Sequence, residues 1–248
     1  MLYSVTSLRN YRLAASDGEV GHVRDIYFDS SDWTVRFLII NNGSWLLGKE
    51  SLIAVKALGP IDVSKETIHV NLTLEKIKTA PDIDSALPVS RQDYNANEQY
   101  FDDNRTPVFS VGVTFALLPE LINPWASVPP TADAKRADSH LRSVHDVIGH
   151  NIHASDDEIG RVGDFLVDDS DWSIRYFVVN TSMWLGKAVV VPTALIREVS
   201  WDERSVYLTI PRESVKHAPE YDAGGSQSEA LEQRLADYYD LKLEAVSR

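Results

Sequence analysis

An internal repeat constrains this chain more than any other feature of its sequence. Residues 15–45 and 154–184 align without a gap at an offset of 139 residues, and 14 of the 31 aligned positions are identical. Further along, the offset shortens to 138, where Leu74–Asp84 aligns with Arg212–Asp222. Two copies of this length predict two similar domains in tandem, because a solenoid needs more repeats to bury its core.

Each copy has the pattern of a small β domain. Alternating side chains over Val23–Phe28 predict a strand, the acidic cluster that follows predicts a turn, and Trp33–Asn41 predicts the returning strand of a hairpin. Many short strands in so few residues favour a curled, barrel-like sheet, which leaves few open edges. Further strands are predicted near 51–55, 61–63, 67–72, 188–191, 196–201 and 205–210, and short helices at 74–80 and 211–218.

The repeat divides the chain into three parts. The first copy spans residues 1–103, a proline-rich linker spans 104–139, and the second copy with a C-terminal helix spans 140–248. The apolar stretch Val108–Ile122 within the linker is expected to lie across one or both barrels. Ser226 and Glu229 form a capping-box pattern at the start of the last helix. The predicted fold class is mainly β (α+β): two small β-barrels with short helices and a C-terminal helix.

Composition argues against several classes of function. The chain has no cysteine, which excludes disulfides, zinc–thiolate sites and thiol nucleophiles. Its formal net charge of −13 repels polyanions, so direct nucleic-acid binding is not expected. The longest apolar stretch is shorter than the ~20 residues that span a bilayer, so we expect that the chain is not an integral membrane protein. We also expect a cytoplasmic location. Motifs of nucleophile elbows, phosphate loops and zinc proteases are missing from the sequence, so we expect neither an enzyme nor a bound cofactor.

The repeated motifs resemble a known family. A G-x-V-x-D pattern is followed by W-x-[VI]-R-[FY] and a tryptophan–glycine turn, and Pro88–Arg91 reads PVSR. These features resemble the PRC-barrel family, named for a β-barrel of the photosynthetic reaction centre H subunit and also found in a ribosome-maturation factor. The resemblance implies a non-catalytic protein-binding, scaffolding or assembly module with an unidentified protein partner. A reaction-centre-associated or ribosome-associated role is implied by fold analogy only.

The acidic turns support an alternative function. Asp29 and Asp32, repeated as Asp168 and Asp171, offer the oxygen ligands that calcium and magnesium prefer, so the chain could bind a divalent cation or another small ligand. Aspartate also forms turns between strands without a metal. Three histidines of the second copy are interpreted as exposed or locally hydrogen-bonded rather than as metal ligands. They are His145, His150 and His153.

Repeated aromatic residues are the candidates for protein contacts, since such residues often anchor interfaces. Packing between the two barrels is the alternative use for them. We expect the barrels to pair with approximate two-fold symmetry within one chain, as an intramolecular pseudo-dimer, and a homodimer of chains stays open. The candidate residues are Trp45, Trp184, Tyr100, Tyr238 and Tyr239.

A further expectation concerns charged residues that recur in both copies. Asp25 and Arg36 lie on adjacent predicted strands, and Asp164 and Arg175 repeat them. Opposite charges on neighbouring strands attract each other across the sheet. The sequence therefore predicts a cross-strand ion pair in each copy, with a structural role.

Overall fold

A computed structural model describes residues 1–41, 50–79, 140–181, 186–222 and 229–246, with side chains of the last segment described for 230–239. Several sequence-based predictions fall outside these residues. They concern Trp45, Trp184, Tyr100, the PVSR segment, Ser226 and the linker 104–139.

The first half of the chain forms most of one seven-stranded sheet, with the order β5-β4-β3-β2-β7-β6. The predicted hairpin is present as β3 and β4, which pair antiparallel. The strands are β1 (Leu2–Ser4), β2 (Arg12–Ala15), β3 (Gly18–Asp29), β4 (Thr34–Asn41), β5 (Glu50–Ala54), β6 (Leu58–Asp62) and β7 (Thr67–Val70), with helices α1 (Val5–Leu8) and α2 (Leu74–Lys78).

The second half repeats this arrangement in a second seven-stranded sheet, with the order β12-β11-β10-β9-β14-β13. The molecule is therefore mainly β, consistent with two small barrel-like domains. The strands are β8 (Leu141–Ser143), β9 (Asn151–His153), β10 (Glu158–Asp168), β11 (Ile174–Asn180), β12 (Ala188–Pro192), β13 (Ile196–Ser200) and β14 (Ser205–Leu208). The helices are α3 (Val144–Val147), α4 (Arg212–Lys216) and α5 (Glu229–Val246).

The two halves exchange their first strands. Strand β1, from the N-terminus, pairs antiparallel with β10 of the second half, from Leu2 opposite Asp168 to Ser4 opposite Leu166. Strand β8, which begins the second half, pairs with β3 of the first half in the same manner. Each seven-stranded sheet thus contains one strand from the other half, and the pairing is reciprocal as in an isologous dimer.

The turn of each hairpin is built by its acidic residues. The Asp29 carboxylate accepts hydrogen bonds from the Ser31 amide (2.9 Å) and hydroxyl (2.6 Å), and Asp168 accepts the equivalent bonds from Ser170. Trp33 and Trp172 follow with φ angles of 58° and 57°. Such positive φ angles are unusual for a large side chain and are held by the surrounding structure.

Strands β3 and β10 both carry a β-bulge before the repeated aspartate. The register with the neighbouring strand shifts between Val23 and Asp25 in the first half and between Val162 and Asp164 in the second. A bulge inserts an extra residue and redirects the side chains beside it. This irregularity lies next to the aspartates that contact the exchanged segments.

The apolar interior is shared by both halves. One continuous core includes Leu2 and Leu8 from the first half together with Phe165, Ile174 and Leu235 from the second. A smaller cluster on the first sheet comprises Phe37, Ile39, Leu52, Ala54 and Leu141, and Leu141 comes from the exchanged strand β8. Among the described residues, no helix combines the length and apolar character that crossing a membrane requires.

Candidate functional site

The halves meet at the ends of their two long hairpins. The Val35 amide donates to the Trp172 carbonyl (2.8 Å), and the Ile174 amide donates to the Trp33 carbonyl (2.7 Å). Trp33 stacks on Phe28 of its own half, with ring centroids 5.3 Å apart, and lies 6.3 Å from the ring of Phe165. The junction is therefore held by reciprocal backbone hydrogen bonds around an aromatic centre.

Asp164 fastens the exchanged N-terminal segment to the second half. Its carboxylate accepts hydrogen bonds from the Ser4 hydroxyl (2.5 Å), the Thr6 hydroxyl (2.8 Å) and the Thr6 amide (3.0 Å). A fourth bond comes from the amide of Phe165 at 2.7 Å. Asp164 is only 8% exposed, so these donors replace the water that a carboxylate would otherwise bind.

Asp25 makes the matching contacts in the first half. Its carboxylate accepts hydrogen bonds from the Ser143 hydroxyl (2.5 Å), the Ile26 amide (2.8 Å) and the His145 amide (3.4 Å). Burial, together with the negative charge of Asp25, raises the pKa of the neighbouring Tyr27 to about 12. Both aspartates therefore act across the boundary between the halves.

The predicted ion pair between Asp25 and Arg36 is wrong, and so is its counterpart between Asp164 and Arg175. The Arg36 guanidinium instead contacts the turn carboxylate of Asp32 at 2.6 Å. Arg175 in turn bonds the carboxylates of its own turn. The reason is geometric: the arginine follows the turn closely, whereas the bulge directs the aspartate toward the exchanged segment of the other half.

The four metal-ligand candidates lie in the two turns and are engaged by protein groups. Arg175 donates to Asp168 at 2.8 Å and to Asp171 at 3.0 Å. Burial opposes ionisation, but hydrogen bonds from Ser170 lower the pKa of Asp168 to about 2. In the parts of the chain that the structure describes, no group of three or more His, Cys, Asp or Glu residues is arranged to hold a metal.

The three histidines considered as metal ligands have separate aromatic or solvent environments. His150 is 5% exposed, and its ring meets Trp201 edge-on at 6.3 Å. His153 stacks on Tyr207 at 4.9 Å, and His145 is exposed. Burial lowers the pKa of His150 below its usual 6.5, and the positive charge of Arg204 lowers it further. His150 is buried, and its ring is hydrogen-bonded locally to the backbone of Val147, which agrees with the interpretation of these histidines as exposed or locally bonded.

We expect the second half to lose stability on mild acidification because of His150. The unfolded chain takes up a proton on this residue near pH 6.5, whereas the folded chain does so only at lower pH. The free energy of unfolding therefore falls as the pH drops below about 6.5. Replacing His150 with Tyr, the residue at the matching position 11, should reduce this pH dependence of the free energy of unfolding, as measured by urea unfolding at several pH values. The His145→Tyr variant, at an exposed position, should keep the pH dependence. An equal pH dependence in both variants would contradict its assignment to His150.

The C-terminal helix α5 is fixed to the second half through its tyrosines. The Tyr239 hydroxyl donates to the Val190 carbonyl (2.7 Å), and the Tyr238 hydroxyl donates to the Ser214 carbonyl (2.6 Å). Tyr239 is 2% exposed and Leu235 is fully buried. The prediction that Tyr239 contacts an external partner is therefore corrected. Its ring and hydroxyl are both used inside the protein, where they hold α5 against the second half.

A groove runs between helix α5 and the junction of the halves, with a volume of about 530 Å³. We call it the junction groove. Trp33 of the first half and Tyr176 of the second line it, together with Pro192 and Tyr239. Asp32 and Arg175 also border it, and an adjoining cavity of about 510 Å³ is lined by Asp168 and Glu232 among others. Sequence reasoning missed this groove because its walls come from distant parts of the chain.

Comparison with known proteins gives one family match. The PRC-barrel domain matches residues 140–215, which include β8 through β14 and most of α4. No curated protein matches the chain. The resemblance seen in the sequence is therefore confirmed for the second copy, whose residues 140–215 match the PRC-barrel domain family.

Proposed function

We propose that this chain is a non-catalytic protein-binding module that holds a basic partner segment in the junction groove. The observation that carries the proposal is the groove itself. Residues from both halves and from α5 converge on one concave surface with apolar and aromatic walls. Concave sites of this kind, with a few polar groups at the rim, are the usual places where proteins bind ligands.

The chemistry of the walls indicates an apolar anchor on the partner. Trp33 is half-buried, so part of its indole faces the groove, and Tyr176 and Pro192 add further apolar surface. Aromatic residues in partly desolvated pockets often dominate the binding energy of protein interfaces. One bulky side chain, such as leucine or phenylalanine, would bury its apolar surface there.

The charge around the groove indicates that the partner is basic. The four turn carboxylates and the nearby Glu232 outnumber the positive groups that contact the turns, which are Arg36, Arg175 and the amino group of Met1. Asp32 and Asp171 keep about half of their side-chain surface exposed, at 48% and 52%. With a net charge of −13 for the whole chain, this surface attracts cationic segments and repels acidic ones.

Synthetic peptides test the proposal. Peptides with a central leucine or phenylalanine flanked by lysines should bind the full chain, as measured by fluorescence anisotropy, and should bind less tightly as salt is added. Peptides with glutamate in place of lysine should not bind. Ala236→Arg places a cation in the groove and should weaken binding at least tenfold. Ala230→Arg, an exposed position on the same helix outside the groove, should leave binding unchanged.

Two results would overturn the proposal. One is that none of the basic peptides binds at millimolar concentration. The other is that both arginine variants weaken binding equally, since a general charge effect and not the groove would then explain the affinity.

A further inference from the structure

The segments that the halves exchange share one sequence pattern. Residues 2–8 read LYSVTSL and residues 141–147 read LRSVHDV, at the same offset of 139 as the main repeat. We call them the donor segments. In each, a three-residue strand leads into a four-residue helix whose serine caps it: the Ser4 hydroxyl accepts from the Ser7 amide, and the Ser143 hydroxyl accepts from the Asp146 amide.

Both donor segments are received in the same way. The strand part pairs with an edge of β10 or β3, and the serine donates to Asp164 or Asp25. The apolar residues are covered by the core. In the first donor segment these residues are Leu2, Val5 and Leu8, at 0–1% exposure, and in the second they are Leu141, Val144 and Val147, at 0–7% exposure.

We propose that the edge of β10 together with Asp164 is a docking site for the donor segment of a second copy of this chain. This inference goes beyond the proposed function and does not depend on the junction groove. The groups that receive a donor segment are backbone, a carboxylate and an apolar core, and the two donor segments share the Leu, Ser and Val that meet them. A donor segment from another copy therefore presents the same contacts.

The covalent link between a donor segment and its own chain determines which copy of the chain supplies the segment. Within one chain the donor segment is held near its acceptor at high effective concentration, so the internal pairing wins in dilute solution. Exchange between chains uses the same contacts as the internal pairing, as in domain swapping. Because it joins two chains, it increases with protein concentration. Addition of a strand to an exposed edge is a common mode of peptide recognition.

Peptide complementation tests the inference on a chain that lacks residues 1–9. A labelled peptide of residues 1–10 should bind this chain and raise its unfolding midpoint, and a peptide of residues 140–149 should bind within about tenfold of that affinity. The Ser4→Ala version of the first peptide should bind at least tenfold more weakly, because it loses the hydrogen bond to Asp164. Binding of a scrambled peptide with equal affinity would overturn the inference.

A second variant covers the case in which the shortened chain does not fold. In the full chain with Ser4→Ala and Thr6→Ala, the donor segment is weakened but still attached, and the wild-type peptide in excess should displace it. Two full-length chains with different tags, incubated together at high concentration and then diluted, should also co-purify. The co-purified fraction should be larger when the double variant is mixed with the wild-type chain than when two wild-type chains are mixed, because the wild-type donor segment displaces the weakened one. If the peptide is not captured and the tags do not mix, the inference is refuted. The Ala236→Arg variant should exchange normally, which separates this test from that of the groove.

Discussion

Replacing Gly160 with alanine is expected to destabilise the second half by about 3–5 kcal/mol, from backbone strain and steric overlap together. Gly160 has a φ angle of 154°, which L residues rarely adopt. A Cβ atom at this position would lie 2.2 Å from the carbonyl oxygen of Asn180 on the neighbouring strand. Backbone atoms paired in the β10–β11 ladder have little room to move, so the strands must separate locally. Urea unfolding followed by far-UV circular dichroism measures the loss.

Gly149 provides the matched control for this substitution. Its φ angle is 90°, also in the region that favours glycine, but a Cβ atom there would meet nothing within 4 Å. Gly149→Ala should therefore cost only the backbone strain, about 1–2 kcal/mol. Equal losses in the two variants would show that the close approach to Asn180 contributes nothing.

The regular part of the fold could be predicted from the sequence because its signals are local. Alternation over Val23–Phe28 and the β-branched run after Trp33 specify a hairpin through contacts between neighbouring residues in sequence. The same is true of the short helices, where the predicted ranges exceed the observed ones by a few residues, as is common at helix ends. The repeat then indicates that both halves share one topology.

The exchange of strands could not be predicted in the same way. Strand β1 has three residues, too few to show a period, and its partner β10 lies more than 150 residues further along the chain. Hydrophobic pattern fixes which face of a strand is buried but not which half supplies the neighbouring strand. A usable signal was present, since the L-x-S-V pattern recurs at residues 2–5 and 141–144 outside the most similar stretch.

The candidate site shows a similar division. The recurrence of Asp25 and Asp164 correctly singled out important residues, but their partners were mistaken because strand adjacency was taken to mean contact. A bulge changes which residues face each other, and bulges leave a weak mark in sequence. The junction groove depends on the exchange and on the docking of α5, so it emerges only from the assembled fold.

Replacing Asp164 with alanine should produce the largest loss among the polar residues of the junction, about 3 kcal/mol or more in the free energy of unfolding. The substitution leaves the Ser4 and Thr6 hydroxyls and the amides of Thr6 and Phe165 without their acceptor. Because the site is 8% exposed, water reaches these donors poorly and cannot replace the carboxylate.

Asp25→Ala is the matched comparison and should cost less, about 1–2 kcal/mol, because Asp25 is only half-buried and one of its three contacts is long, at 3.4 Å. A double-mutant cycle of Asp164→Ala with Ser4→Ala then separates fastening of the exchanged segment from local effects within β10. A coupling of about 1 kcal/mol or more indicates that the hydroxyl and the carboxylate act as one contact between the halves. Additive losses would mean that the Ser4 hydroxyl contributes nothing through Asp164, and the segment would then be held by the two Thr6 hydrogen bonds and by burial of Leu2, Val5 and Leu8.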